Sequence, residues 1–153
     1  MNYKKVEKAA FKVCGISMLA SMKENKIPEF WAESYQNGTT NKILSLNPDK
    51  YLLGICYDMI GEDEFRYMIG IEAGENIPAD MEVIDIPAAT WLVFECIGAM
   101  PHAIHKLWGE VWEFLSTGEY DHAKMPDFEL YYNGDVTKDD YRSEVWIPVI
   151  KKI

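Results

Sequence analysis

The sequence predicts an α+β fold. A β-α-β-β unit is written twice, related by a pseudo-twofold axis, giving one antiparallel sheet with two helices on one face. Three observations carry this. "IPEFWAES" (27–34) and "IHKLWGEV" (104–111) align without gaps, so that Ile27, Trp31 and Glu33 meet Ile104, Trp108 and Glu110 at an offset of 77. "FRYMIGI" (65–71) aligns with "YRSEVWI" (141–147), Arg66 meeting Arg142 and Ile71 meeting Ile147 at an offset of 76. Val6 and Val83 open the two halves at about the same spacing. Self-similarity at a nearly constant offset marks an internal duplication. One such unit cannot cover both faces of its sheet, so two are expected to combine around a groove on the pseudo-axis.

The elements follow in order. A strand lies within residues 3–14, and "SMLASM" precedes a helix at about 27–37, which Asn37-Gly38 stops. "YLLGICYDM" (51–59) and "EFRYMIGIE" (64–72) read as strands, with Gly61 in the polar turn between them. The second half opens with "MEVIDIP" and continues through "TWLVFECIG", punctuated by Pro87. A helix runs from about Pro101, suited to a first turn, to Leu115, with Gly118 at its exit. "FELYYNG" (128–134) and "SEVWIPVI" (143–150) close the fold as a hairpin. The repeats span about 1–75 and 80–153, joined by the short "EAGENIPAD", so residues 1–153 read as a single domain.

Composition narrows the function. At 153 residues and 48% hydrophobic, the chain buries a real core. A net charge of −10 repels phosphate backbones and attracts cations, which argues against a nucleic-acid surface. Cys14, Cys56 and Cys96 are distant, odd in number and set in apolar stretches, as free thiols of a cytoplasmic protein are. No segment is long and apolar enough to span a membrane. No G-x-S-x-G turn, Gly-rich phosphate loop or C-x-x-C pair appears, and no cofactor is implied. His102 and His105 stand three apart at a helix start without an evident third ligand, so no metal site is read there.

The sharpest anomaly is a carboxylate in an apolar strand. In "SEVWIPV", Glu144 and Trp146 share one face by strand alternation. A buried carboxylate needs a partner or must give up its charge. Either Glu144 is an exposed strand residue, or a cation comes to meet it. Trp108 and Trp112 lie at i and i+4 on one helix face, and pack either the core or a pocket. In "FELYY", Glu129 and Tyr131 share a face, and hairpin pairing brings Tyr131 towards Glu144.

The run "IPAATWLVFECIGAMPHAIHKLWGEVWEFLSTGEY...PDFELYYNGD...SEVWIPV" resembles the GyrI-like small-molecule-binding domain, the effector-binding module of many AraC-type and MerR-type regulators. The resemblance covers nearly the whole chain and is clearest over 81–150. It implies a duplicated β-α-β-β fold and a pocket between the repeats for lipophilic, often cationic, aromatic molecules. It implies further that the acid of the final-strand motif, Glu144, faces that pocket, with Trp146, Tyr131, Trp108 and Trp112 around it. The regulators also carry a helix-turn-helix domain. Here the two repeats account for the chain, so the expectation is a free-standing module without direct DNA binding. Two other readings follow from the same family: a hydrolase of strained cyclopropanoid genotoxins using Glu144 and Tyr131 with water, and a module that binds a protein target.

Overall fold

Alternating and helical hydrophobic patterns resolve into nine strands and three helices in the computed structural model, which describes residues 1–153. They are β1 (Tyr3–Lys8), β2 (Phe11–Ser21), α1 (Ile27–Gln36), α2 (Thr39–Leu46), β3 (Leu52–Ile60), β4 (Glu64–Glu72) and β5 (Glu82–Ile86), followed by β6 (Ala89–Ile97), α3 (His102–Thr117), β7 (Tyr120–His122), β8 (Asp127–Tyr131) and β9 (Arg142–Lys151). The strand ladders run antiparallel, and the fold is α+β. No helix is long and apolar enough to cross a membrane.

The chain divides into two compact units, Phe11–Ile86 and Met1–Ala10 with Pro87–Ile153. In the first, the strand order is β5-β2-β4-β3. Its helices cover the face that carries Tyr67, Ile69 and Ile71. Trp31 of α1 donates its Nε1–H to the Tyr67 hydroxyl at 2.8 Å, and Ile43 of α2 is fully buried. Gly15 and Gly70 face each other across β2 and β4. A Cβ on Gly15 would lie 2.0 Å from the Ile69 carbonyl oxygen, so only glycine lets the backbones meet there.

In the second unit the order is β1-β6-β9-β8, with β7 also on β9. The internal order of strands is thus the same in both units: an edge strand, then the strand before the helix, then the last and the middle strand. In this unit α3 lies on one sheet face. Its Ile104, Leu107, Val111 and Leu115 recur at helical spacing and pack on Leu92, Phe94, Val145, Ile147 and Val149. The opposite face carries its own buried rings. Trp91, Phe128 and Trp146 meet with centroids 5.1 to 5.9 Å apart, which is why residues 91–94 of β6 and 145–150 of β9 are apolar at every position.

Three local expectations are corrected. Residues 3–14 form two strands, broken at Ala9-Ala10, and β1 pairs with β6, so the first residues belong to the C-terminal unit. "EVIDI" likewise pairs back onto β2. The boundaries at about 75 and 80 therefore exchange an edge strand between the units. Asn37-Gly38 ends α1 but also starts α2: Gly38 takes a left-handed φ of 82°, and the Asn37 side-chain oxygen accepts from Thr39 N–H at 3.0 Å.

Parity on β9 makes a direct test of this packing. Ile147 is fully buried beneath α3, whereas Ile150 is 57% exposed. Ile147→Ala is expected to cost about 2–5 kcal/mol of unfolding free energy, and Ile150→Ala less than about 0.5 kcal/mol, read from urea denaturation.

Candidate functional site

Helix α3 and strand β8 together build the site. The buried stripe of α3 leaves Trp108 and Trp112 on its flank, one turn apart, and their indoles stack with centroids 5.7 Å apart. Beneath them runs β8, whose register against β9 pairs Phe128 with Trp146, Glu129 with Val145, Leu130 with Glu144 and Tyr131 with Ser143. Directly opposed residues share a face. Val145 belongs to the core under α3, so Asp127, Glu129 and Tyr131 point towards the helix. Phe128, Leu130, Glu144 and Trp146 point away from it.

The carboxylate beneath the helix is therefore Glu129. It is 8% exposed. Trp108 donates its Nε1–H to Oε2 at 2.8 Å, and the Tyr131 hydroxyl donates to Oε1 at 2.8 Å. Burial of a charge is costly unless hydrogen bonds replace its water. Here an indole and a phenol do so, two aromatic donors that also supply ring faces. Asp127, on the same row and equally buried, takes a 2.9 Å hydrogen bond from His122 on β7. Cys96 lies on this face too, paired with Ser143. Burial pushes its thiol up, the Ser143 hydroxyl opposes this, and the charges of Glu129 and Glu110 push it further up.

The residues singled out in the sequence fall into two groups. Trp108 and Tyr131 meet at Glu129 on the α3 face, and Trp112 stacks on Trp108. Glu144 and Trp146 share the opposite face, as alternation requires, and the Trp146 Nε1–H donates to Glu144 Oε1 at 3.0 Å. Tyr132, not Tyr131, reaches Glu144, donating to Oε2 at 2.8 Å. Tyr131 is one pairing step away on β8, but one step turns the side chain through the sheet. Glu144 is half-buried and stands directly opposite Glu95, which Arg142 pairs. The nearby cleft of about 520 Å³, lined by Tyr132, Asp135, Lys138, Tyr141 and Arg142 among others, belongs to the β8–β9 connection. His102 and His105 are exposed on α3. The residue that sequence reasoning passed over is Glu129. Its signal was present in "FELYY", a carboxylate inside an apolar strand, the same anomaly that drew attention to Glu144.

A family model described as the GyrI-like small molecule binding domain matches residues 1–150. A protein from Staphylococcus aureus MU50 is 28% identical and superposes with a TM-score of 0.85, covering 97% of this chain and 98% of that one. SAV2435, solved bound to tetraphenylphosphonium, is 29% identical with a TM-score of 0.87, over 98% of this chain and 94% of its own. A hydrolase encoded by lin2189 from Listeria innocua shares the fold at 10% identity and a TM-score of 0.54, over 97% of this chain and 91% of that one. No curated protein sequence matches the chain.

The charge on Glu129 is open to direct measurement through Cys96. Glu129→Gln removes one negative neighbour while burial remains, so the Cys96 thiol is expected to titrate lower than in the parent, yet still above an ordinary thiol. Thiolate absorbance against pH, with Cys14 and Cys56 replaced by Ser, reads the shift. No downward movement would mean that Glu129 carries no charge near Cys96.

Proposed function

The chain belongs to the GyrI-like small-molecule-binding domain family, and on that premise we propose that its C-terminal unit binds lipophilic aromatic cations at Glu129, beneath α3. One observation carries this reading: a carboxylate 8% exposed, held by Trp108 and Tyr131 and flanked by a second indole. The carboxylate supplies the counter-charge. Trp108, against which Trp112 stacks, supplies a ring face worth roughly 0.5–2 kcal/mol against a cation. The overall charge of −10 favours approach of a cation. The relative that is 29% identical binds tetraphenylphosphonium, a ligand of this class. A ligand of this kind asks for apolar contact and one charge, not for a set of directional hydrogen bonds, and its shape is read loosely.

Glu144 and Trp146 then serve the other sheet face. Their carboxylate and indole satisfy each other, together with Tyr132. The same acidic surface disfavours direct binding of duplex DNA by these residues. A second reading has its own support in the hydrogen bond from Tyr131 to Glu129. A phenol beside a carboxylate is a proton donor and a base in one place, which fits hydrolysis of a strained electrophile. Consumption of a cyclopropanoid compound by the parent, lost in both Glu129→Gln and Tyr131→Phe, selects that reading.

Tetraphenylphosphonium titration, followed by tryptophan fluorescence, tests the binding reading. Two unit charges about 6 Å apart at an effective dielectric near 20 interact by about 3 kcal/mol before screening. Glu129→Gln is therefore expected to weaken binding roughly ten- to a hundredfold. Glu144→Gln, across the sheet, is expected to change it less than about twofold. The opposite ranking of the two variants would move the site to the Glu144 face.

A further inference from the structure

Strand β7 and strand β8 lie in tandem along one side of β9, β7 opposite Val149–Lys151 and β8 opposite Ser143–Trp146. The interruption between them, residues 123–126, is spanned by one side-chain pair. The Nε2–H of His122, the last residue of β7, donates to Asp127 Oδ2 at 2.9 Å, at the first residue of β8. The orientation of the ring is set from both ends. Its Nδ1 accepts the Lys124 N–H at 2.9 Å, so the proton on this ring sits on Nε2, facing Asp127. Lys124 itself takes a left-handed φ of 57° in this connection.

The ring so held is the base of a stack. His122 lies 5.9 Å from the Trp112 indole at 25° between planes, and Trp112 lies 5.7 Å from Trp108 at 27°. Trp108 ends the stack with its Nε1–H on Glu129. Trp112 is 48% exposed and has no core socket of its own. A half-exposed indole on a helix flank has several rotamers open to it unless neighbours remove them. The imidazole beneath it and Trp108 above it do so.

We propose that His122, oriented by Asp127 and Lys124, is a positioning residue for the ligand site: it fixes Trp112, and through Trp112 the face that Trp108 presents beside Glu129. This inference rests on the binding of aromatic cations at Glu129. It adds that affinity is set partly by a residue of β7 that lies two rings away from the carboxylate. A wall ordered before binding loses less freedom when the ligand arrives, so the effect falls on how tightly planar or phenyl-bearing cations are held.

Three substitutions at one position separate the ring from its hydrogen bond. His122→Gln keeps a donor for Asp127 and removes the ring. His122→Phe keeps a ring and removes the donor. His122→Ala removes both. Near-ultraviolet circular dichroism reads the coupled indoles of Trp108 and Trp112 without ligand, and tetraphenylphosphonium titration reads affinity. An aromatic contact of this kind corresponds to roughly two- to tenfold in affinity. His122→Gln and His122→Ala are expected to lose that much and to flatten the indole signal, while His122→Phe retains most of both. If Ala is too unstable to fold, the comparison of Gln with Phe gives the answer. A parent-like indole signal and affinity in His122→Gln would overturn the inference and leave the Glu129 site standing. If Glu129→Gln also leaves affinity unchanged, the site itself is misplaced. If the parent does not bind the probe, the indole signal alone decides: lost in Gln and kept in Phe upholds the positioning role, and unchanged in both overturns it.

Discussion

A carboxylate buried beneath a helix constrains everything around it. Glu129 lies on the strand face that packs the apolar stripe of α3. Left with apolar neighbours alone, that charge would cost far more than a domain's margin of stability. The chain answers with two donors that are themselves large hydrophobic bodies, Trp108 and Tyr131. Each joins the packing by its ring and meets the charge by its N–H or O–H. That requirement places a tryptophan on the α3 flank opposite β8 and a tyrosine two residues along the strand. The same arrangement leaves a charged, ring-lined point within a mostly apolar interface.

Parity distributes the remaining chemistry. On β8 the odd positions Asp127, Glu129 and Tyr131 face α3, and Phe128 and Leu130 face away. On β9 the alternation places Val145, Ile147 and Val149 under the helix and Glu144 and Trp146 on the other side. Two acid–indole pairs thus sit back to back through one sheet. In one pair the indole comes from a helix. In the other, Glu144 with Trp146, it comes from the same strand two residues on. Each carboxylate also accepts from a tyrosine, Tyr131 for Glu129 and Tyr132 for Glu144.

Much of the architecture was legible in the sequence because it follows from periodicity. The helices at 27–36 and 102–117, the hairpin strands 52–60 and 64–72, and the closing strands all announce themselves by spacing and by glycine or proline punctuation. The exchange of edge strands was not legible, since β1 and β5 pair with residues about 85 and 70 positions away and nothing local names a partner. Helix α2 was missed because Asn37-Gly38 reads as a stop, and only the Thr39 N–H bond to Asn37 shows it to be a start as well. At the site, the residue types and the shared face of Glu129 and Tyr131 were readable. Which of two acids lay under the helix was not, because that depends on the face α3 covers. His122 carried no signal, since its role comes from closing an interruption between two strands that the sequence presents as a loop.

The most direct measurement is a crystal structure of the protein with tetraphenylphosphonium bound. The phosphonium centre is expected within about 6 Å of the Glu129 carboxylate, with a phenyl ring against Trp108. A ligand seated instead on the Glu144 and Trp146 face, with the Trp108–Glu129 hydrogen bond intact, would contradict it.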